Sequence, residues 1–114
     1  ARVTHTITIP EYDQGLALTM SEAELDRNVD ELRQVLGYEL SYHTHDSRRS
    51  AGCFPDRVLL RPGWAPVFIE LKSERGQPTF EQWYWLYRLQ ESGAEAYLFR
   101  PSDWLSGEIQ RVLR

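Results

Sequence analysis

The chain has 114 residues, enough for one compact domain and too few for two. Its 41% hydrophobic and 26% charged residues fit a folded soluble domain, and no apolar run approaches the ~20 residues of a membrane-spanning helix. The net charge of −4 argues against a uniformly basic nucleic-acid binder, and the single Cys53 excludes an internal disulfide or a cysteine-rich metal site and points to a reducing cytoplasm.

Residues 3–9 alternate apolar and polar side chains and predict a strand that Pro10 ends; residues 11–17 read as loop. Ser21-Glu22-Ala23-Glu24 has the form of a capping box. Leu25, Val29, Leu32 and Leu36 then recur at helical spacing up to Gly37, which predicts a first helix over 22–36. Residues 38–43 predict a short strand, 45–55 a polar loop, 57–60 a second strand, and Arg61-Pro62-Gly63 a turn. The apolar run Val67-Phe68-Ile69 predicts a central strand over 67–71, and 73–78 a loop. Thr79-Phe80-Glu81-Gln82 opens a second helix over 79–91, with Gly93 after it. A strand over 96–99 and a final helix over 102–113, capped by Ser102 or Asp103, complete the chain. Trp83, Tyr84, Trp85 and Tyr87 make the second helix aromatic on nearly every side, so two buried faces are expected, one of them in a dimer.

The charge is unevenly spread. Residues 1–40 hold eight acids against three arginines, whereas residues 41–90 hold five acids against seven bases. The middle segment is therefore the basic one, and some of its acids are candidate metal ligands. Twelve of the thirteen basic residues are Arg, so the lone Lys72 invites a chemical reason. Lysine is a compact point charge whose pKa can shift, and arginine is neither.

Chemistry concentrates at Pro55-Asp56 and Glu70-Leu71-Lys72. If 57–60 and 67–71 form a hairpin, Asp56 starts one strand where Glu70 ends its neighbour, so both carboxylates lie at one end of the sheet. Glu70 and Lys72, two apart, share a face. Two carboxylates and an ammonium suit a hard cation and an attacking water. Taken alone, the Glu-x-Lys spacing is common and equally fits a surface ion pair; the preceding Pro-Asp is what raises it.

Gly52-Cys53-Phe54-Pro55-Asp56 followed by Phe68-Ile69-Glu70-Leu71-Lys72-Ser73 resembles the core of the PD-(D/E)XK nucleases. More narrowly, it resembles the virus-type replication-repair nuclease (VRR-NUC) family. The stretch from Tyr42 through His43, His45, Arg48 and Arg49 to Ser50 is similar to bacterial and phage members, as is Tyr97-Leu98-Phe99-Arg100-Pro101-Ser102-Asp103-Trp104. The likeness covers about residues 20–113 and leaves 1–19 as an extension. It implies a single α/β domain over 20–114 with the order αβββαβα and a mixed central sheet flanked by helices; the strand expected over 3–9 would be an extra N-terminal one.

It further implies Mg²⁺- or Mn²⁺-dependent hydrolysis of DNA phosphodiesters in a bacterial or phage-infected cytoplasm, and, for stand-alone members, a homodimer that cuts branched, Holliday-junction-like DNA. Asp56, Glu70 and the Leu71 carbonyl would hold the metal, and Lys72 would orient or deprotonate the attacking water. The family also places a carboxylate on the first helix. Glu22, about 60° from Leu25, continues the Leu25–Val29 face, whereas Glu24 serves as the N3 partner of Ser21. Glu22 is therefore the preferred outer ligand, through water, although an acid at a helix N-terminus needs no further reason. Gln82 matches the family's glutamine, with capping as a rival role. His43, His45, Arg48, Arg49 and Arg75 are candidate DNA contacts. A module that binds DNA structures without cutting is the alternative reading; it predicts loss of the acidic ligands.

Overall fold

The computed structural model describes residues 11–44 and 53–114. The expected strand over 3–9 lies outside them, as do His45, Arg48 and Arg49.

Among the described residues, nine elements follow one another: α1 (Glu11–Thr19), α2 (Glu22–Val35), β1 (Leu40–His43), β2 (Arg57–Leu60), β3 (Val67–Leu71), α3 (Phe80–Glu91), β4 (Glu95–Phe99), α4 (Pro101–Leu105) and α5 (Glu108–Leu113). The strands form one sheet in the order β1-β2-β3-β4. The first two pairings are antiparallel and the third is parallel, so the sheet is mixed and α3 is the crossover between β3 and β4.

Local signals in the sequence fix most of these ends. Ser21 Oγ accepts the Glu24 N–H at 3.0 Å and opens α2. Gly37, at φ 88°, closes it: the Tyr38 N–H reaches the Arg33 carbonyl at 2.9 Å and the Gly37 N–H reaches Gln34 at 3.3 Å, a Schellman motif. Gly93, at φ 93°, ends α3 in the same way, with the Ala94 N–H on Leu89 O at 2.9 Å.

The two sheet faces have different coverings. Leu59, Val67, Ile69, Leu71 and Phe99 join Leu25 and Val29 of α2 and Ile109 and Leu113 of α5 in the buried core. Alternation along β3 sends Phe68 and Glu70 to the opposite face, the side of α3. There Phe54 stands edge-on to both Phe68 (5.9 Å) and Trp85 (5.2 Å).

Four expectations need correction. Residues 11–19 are helix, not loop; α1 packs against α4 and buries Ala17. Tyr38 precedes β1 instead of starting it, because its buried ring enters the core and its hydroxyl donates to the Leu113 carbonyl at 2.9 Å. The final helix is two, divided at Gly107, whose φ of 83° belongs to the left-handed region that glycine enters freely. Arg100 takes the cap position of α4, and Asp103 lies inside the first turn, accepting the Arg100 N–H at 2.8 Å. On α3 only Leu86 is fully buried, while Phe80, Trp83, Tyr84 and Tyr87 are exposed within the single chain. No described helix is long and apolar enough to cross a membrane.

Candidate active site

The β2–β3 hairpin pairs Leu59 with Val67, Val58 with Phe68 and Arg57 with Ile69. One step further toward the open end come Asp56 and Glu70. The register thus puts both carboxyls at the same end of the sheet.

Asp56 is held from two sides. Its Oδ2 accepts the Leu71 N–H at 2.8 Å, and its own carbonyl accepts the Thr44 N–H at 3.0 Å. Glu70 is 2% exposed, and its Oε2 accepts a hydrogen bond from Gln82 Nε2 at 3.2 Å. Gln82 makes two kinds of contact. Its Oε1 accepts the Thr79 N–H at 2.9 Å in the capping box of α3, and that contact turns the amide nitrogen toward Glu70. The helix cap and the orientation of a site carboxyl are therefore one device.

Burial pushes the Glu70 carboxyl up to about 8, and the neighbouring Asp56 adds to this through its charge and a side-chain hydrogen bond; Lys72 lowers it in part and Glu22 raises it slightly. Glu22 is also raised, first by burial and then by the charge of Asp56, with Lys72 opposing and Asp26 adding. Four groups, from α2, the residue before β2, β3 and the residue after it, thus share one electrostatic neighbourhood.

A cavity of about 240 Å³ opens beside them, lined by Glu22, Ala23, Asp26, His43, Asp56 and Leu71. Glu22 rather than Glu24 lines it, as the helical phase requires. Among the described residues, His43, the last residue of β1, is the expected DNA contact found on its wall. Arg75 is exposed on the loop after β3. That loop is tied down: Arg100 Nη1 lies 2.7–3.0 Å from the carbonyls of Ser73, Glu74 and Gly76, and Glu74 Oε1 accepts the Ser102 N–H at 3.0 Å. Lys72 at its root donates its backbone N–H to Phe99 O at 3.1 Å.

Comparison of the chain with protein-family models, with curated proteins and with solved structures finds no match. What the site can do is therefore argued from its own atoms.

The side-chain donors at this end of the hairpin are oxygens: the Asp56 and Glu70 carboxyls, with Glu22 of α2 on the cavity wall beside Asp56. Among the described residues no group of three His, Cys, Asp or Glu side chains is arranged to hold a metal ion by itself. An oxygen-only set built on two carboxyls fits a hard cation of the Mg²⁺ type, which keeps several of its waters and takes only one or two carboxylates from a protein. A soft or tetrahedrally caged ion does not fit it.

One residue of the site carries little signal in the sequence. Arg57 is 9% exposed, and it binds Asp26 through two nitrogens, Nη2 to Oδ2 at 2.8 Å among them. A charged side chain on the inward phase of a strand, opposite a helix with Glu22, Asp26 and Asp30 spaced four apart, is the pattern that could have revealed it.

Proposed function

We propose that the chain is a divalent-cation-dependent DNA endonuclease of the PD-(D/E)XK type, of the VRR-NUC kind that its sequence resembles. The observation that carries the reading is the meeting of the Asp56 and Glu70 carboxyls at the open end of the β2–β3 hairpin, with the charge of Lys72 acting on both Glu70 and Glu22. The order of α2, three antiparallel strands, α3, a parallel strand and terminal helices is compatible with αβββαβα.

In this reading Asp56, Glu70 and the Leu71 carbonyl hold Mg²⁺ or Mn²⁺, and Glu22 holds one of its waters. When bound, the cation supplies a more acidic water and offsets charge on the phosphodiester. The protein's own groups do the rest. Gln82 and the Leu71 N–H fix the two carboxyls in place before substrate arrives. Lys72 orients the attacking water, whose oxygen bonds to phosphorus as the bond to the 3′ oxygen breaks, and its charge opposes the negative charge gathering there. His43 on the cavity wall and Arg75 on the tethered loop contact the DNA backbone, together with His45, Arg48 and Arg49.

Branched DNA is the substrate class that the resemblance implies. A homodimer presenting two such sites suits it, and the exposed aromatic side of α3 is the surface that a two-fold partner would cover. The test is incubation with four-way junctions, flaps, nicked duplex and single strands in Mg²⁺ or Mn²⁺, with Asp56→Ala beside the parent. Metal-dependent cutting that Asp56→Ala abolishes is the expected result. Binding without cutting of any substrate would instead leave a DNA-docking module.

A further inference from the structure

Arg57 is buried in a place where an arginine is expensive to keep, and its guanidinium donates four hydrogen bonds. Besides Asp26, it donates through Nη1 to Ser41 Oγ at 2.7 Å and to Asp30 Oδ1 at 3.2 Å. Asp30 in turn accepts Arg33 Nε at 2.9 Å. A buried charge with this much hydrogen bonding is costly to break on one side only.

The contacts of Arg57 fall one step from the cavity wall in three directions. Asp56 precedes it in the chain. Asp26 on α2 lies one helical turn after Glu22 and also lines the cavity itself. Ser41 on β1 lies two residues before His43, on the same face of the strand. Each described cavity-lining residue except Leu71 is thus within one turn or two residues of Arg57 or one of its contacts. Arg57 thus joins α2, β1 and β2 through one side chain at this end of the sheet. The planar fork of arginine is what allows one group to meet a carboxylate with two parallel bonds and still reach two further acceptors.

We infer that Arg57 is a positioning residue for the metal site: by clamping Asp26 it sets the distance between Glu22 on α2 and the Asp56–Glu70 pair on the hairpin. This rests on the metal-nuclease reading. The clamp acts through Glu22, so its loss and the loss of Glu22 remove the same contribution, and the two should not add.

Mn²⁺ affinity, measured by titration calorimetry on the folded chain without DNA, separates this role from general support of the fold. Groups that orient a ligand are typically worth about 10-fold or more in metal affinity. Glu22→Gln and Arg57→Lys should each weaken Mn²⁺ by roughly that factor, and the double variant should be little weaker than either single. Asp30→Asn, which removes the charge of the contact one turn further from Glu22, should leave Mn²⁺ affinity unchanged while lowering the melting temperature. Where Arg57→Lys does not fold, Asp26→Asn makes the same comparison. Losses that multiply to about 100-fold in the double variant would overturn the inference. So would an unchanged affinity in Arg57→Lys, or an equal loss in Asp30→Asn. Mn²⁺ binding that Asp56→Ala does not alter would instead remove the metal site itself, and the inference with it.

Discussion

Replacing Glu70 by Gln should stabilise the metal-free protein, and the gain should grow with pH. The folded chain holds the Glu70 proton up to about 8, whereas an unfolded carboxyl releases it near 4.5. Between those values the native state binds more protons than the unfolded state, so stability falls as pH rises through the window. Each unit of separation is about 1.4 kcal/mol, which makes the cost about 3 kcal/mol at pH 7 and about 5 kcal/mol above pH 8. With 2% of the residue exposed, solvent does little to screen it. A glutamine keeps the shape, can donate to Asp56 as a protonated Glu70 does, and never ionises. Urea melts of parent and Glu70→Gln should therefore nearly coincide at pH 5 and separate by several kcal/mol at pH 8.5, the variant being the more stable. Mg²⁺ added at pH 8.5 should narrow the gap by stabilising the parent more than the variant, which has lost one of the two carboxylate ligands. The variant should not cleave DNA. A difference in stability that is the same at pH 5 and pH 8.5 would refute the placement of a strained carboxyl at this site.

Two further outcomes follow from the structure. Tyr38→Phe removes only the hydroxyl that donates to Leu113 O and should cost about 1 kcal/mol in urea denaturation, with the sheet and site unchanged; no loss at all would mean that α5 is not held by this bond. The exposed ring stack of Phe80 on Tyr84 (6.1 Å) and the neighbouring cavity of about 310 Å³ beside Tyr84, Trp85 and Arg88 would be covered in a two-fold dimer. Light scattering at micromolar concentration should then give about twice the chain mass, and Tyr84→Glu should shift it to that of a monomer.

The parts of the fold that were legible in the sequence are those with a local cause. Ser21 and Thr79 cap helices through their own side chains, Gly37 and Gly93 end them, and Arg61-Pro62-Gly63 turns the hairpin that brings Asp56 to Glu70. The parts that were not legible depend on contacts remote in sequence. Residues 11–19 include Gly15 and lack a clear apolar stripe, so only packing of α1 on α4 argues for helix there. Tyr38 has strong strand propensity, but a bond to a residue 75 positions away decides its place. The single helix expected over 102–113 divides at Gly107, which takes a left-handed φ of 83°. At the site, Asp56, Glu70 and Lys72 stood out because the hairpin makes neighbours of them. Arg57 did not, because its partners Asp26, Asp30 and Ser41 come from two other elements.

The central claim is that chemistry takes place where Asp56, Glu70 and Lys72 converge, and Lys72 tests it most directly. As one positive charge among several, it would contribute to DNA affinity, and its loss would weaken binding and lower the salt dependence by about one unit. As a group acting on the attacking water and the developing charge, its loss lowers the rate and leaves binding nearly intact. The measurement is single-turnover cleavage at saturating DNA in Mg²⁺, beside DNA affinity in Ca²⁺, for the parent, Lys72→Ala and Lys72→Arg. The account predicts a fall of roughly 100-fold or more in the cleavage rate of Lys72→Ala, with poor rescue by Lys72→Arg and little change in affinity. Cleavage by Lys72→Ala at close to the parental rate would contradict it.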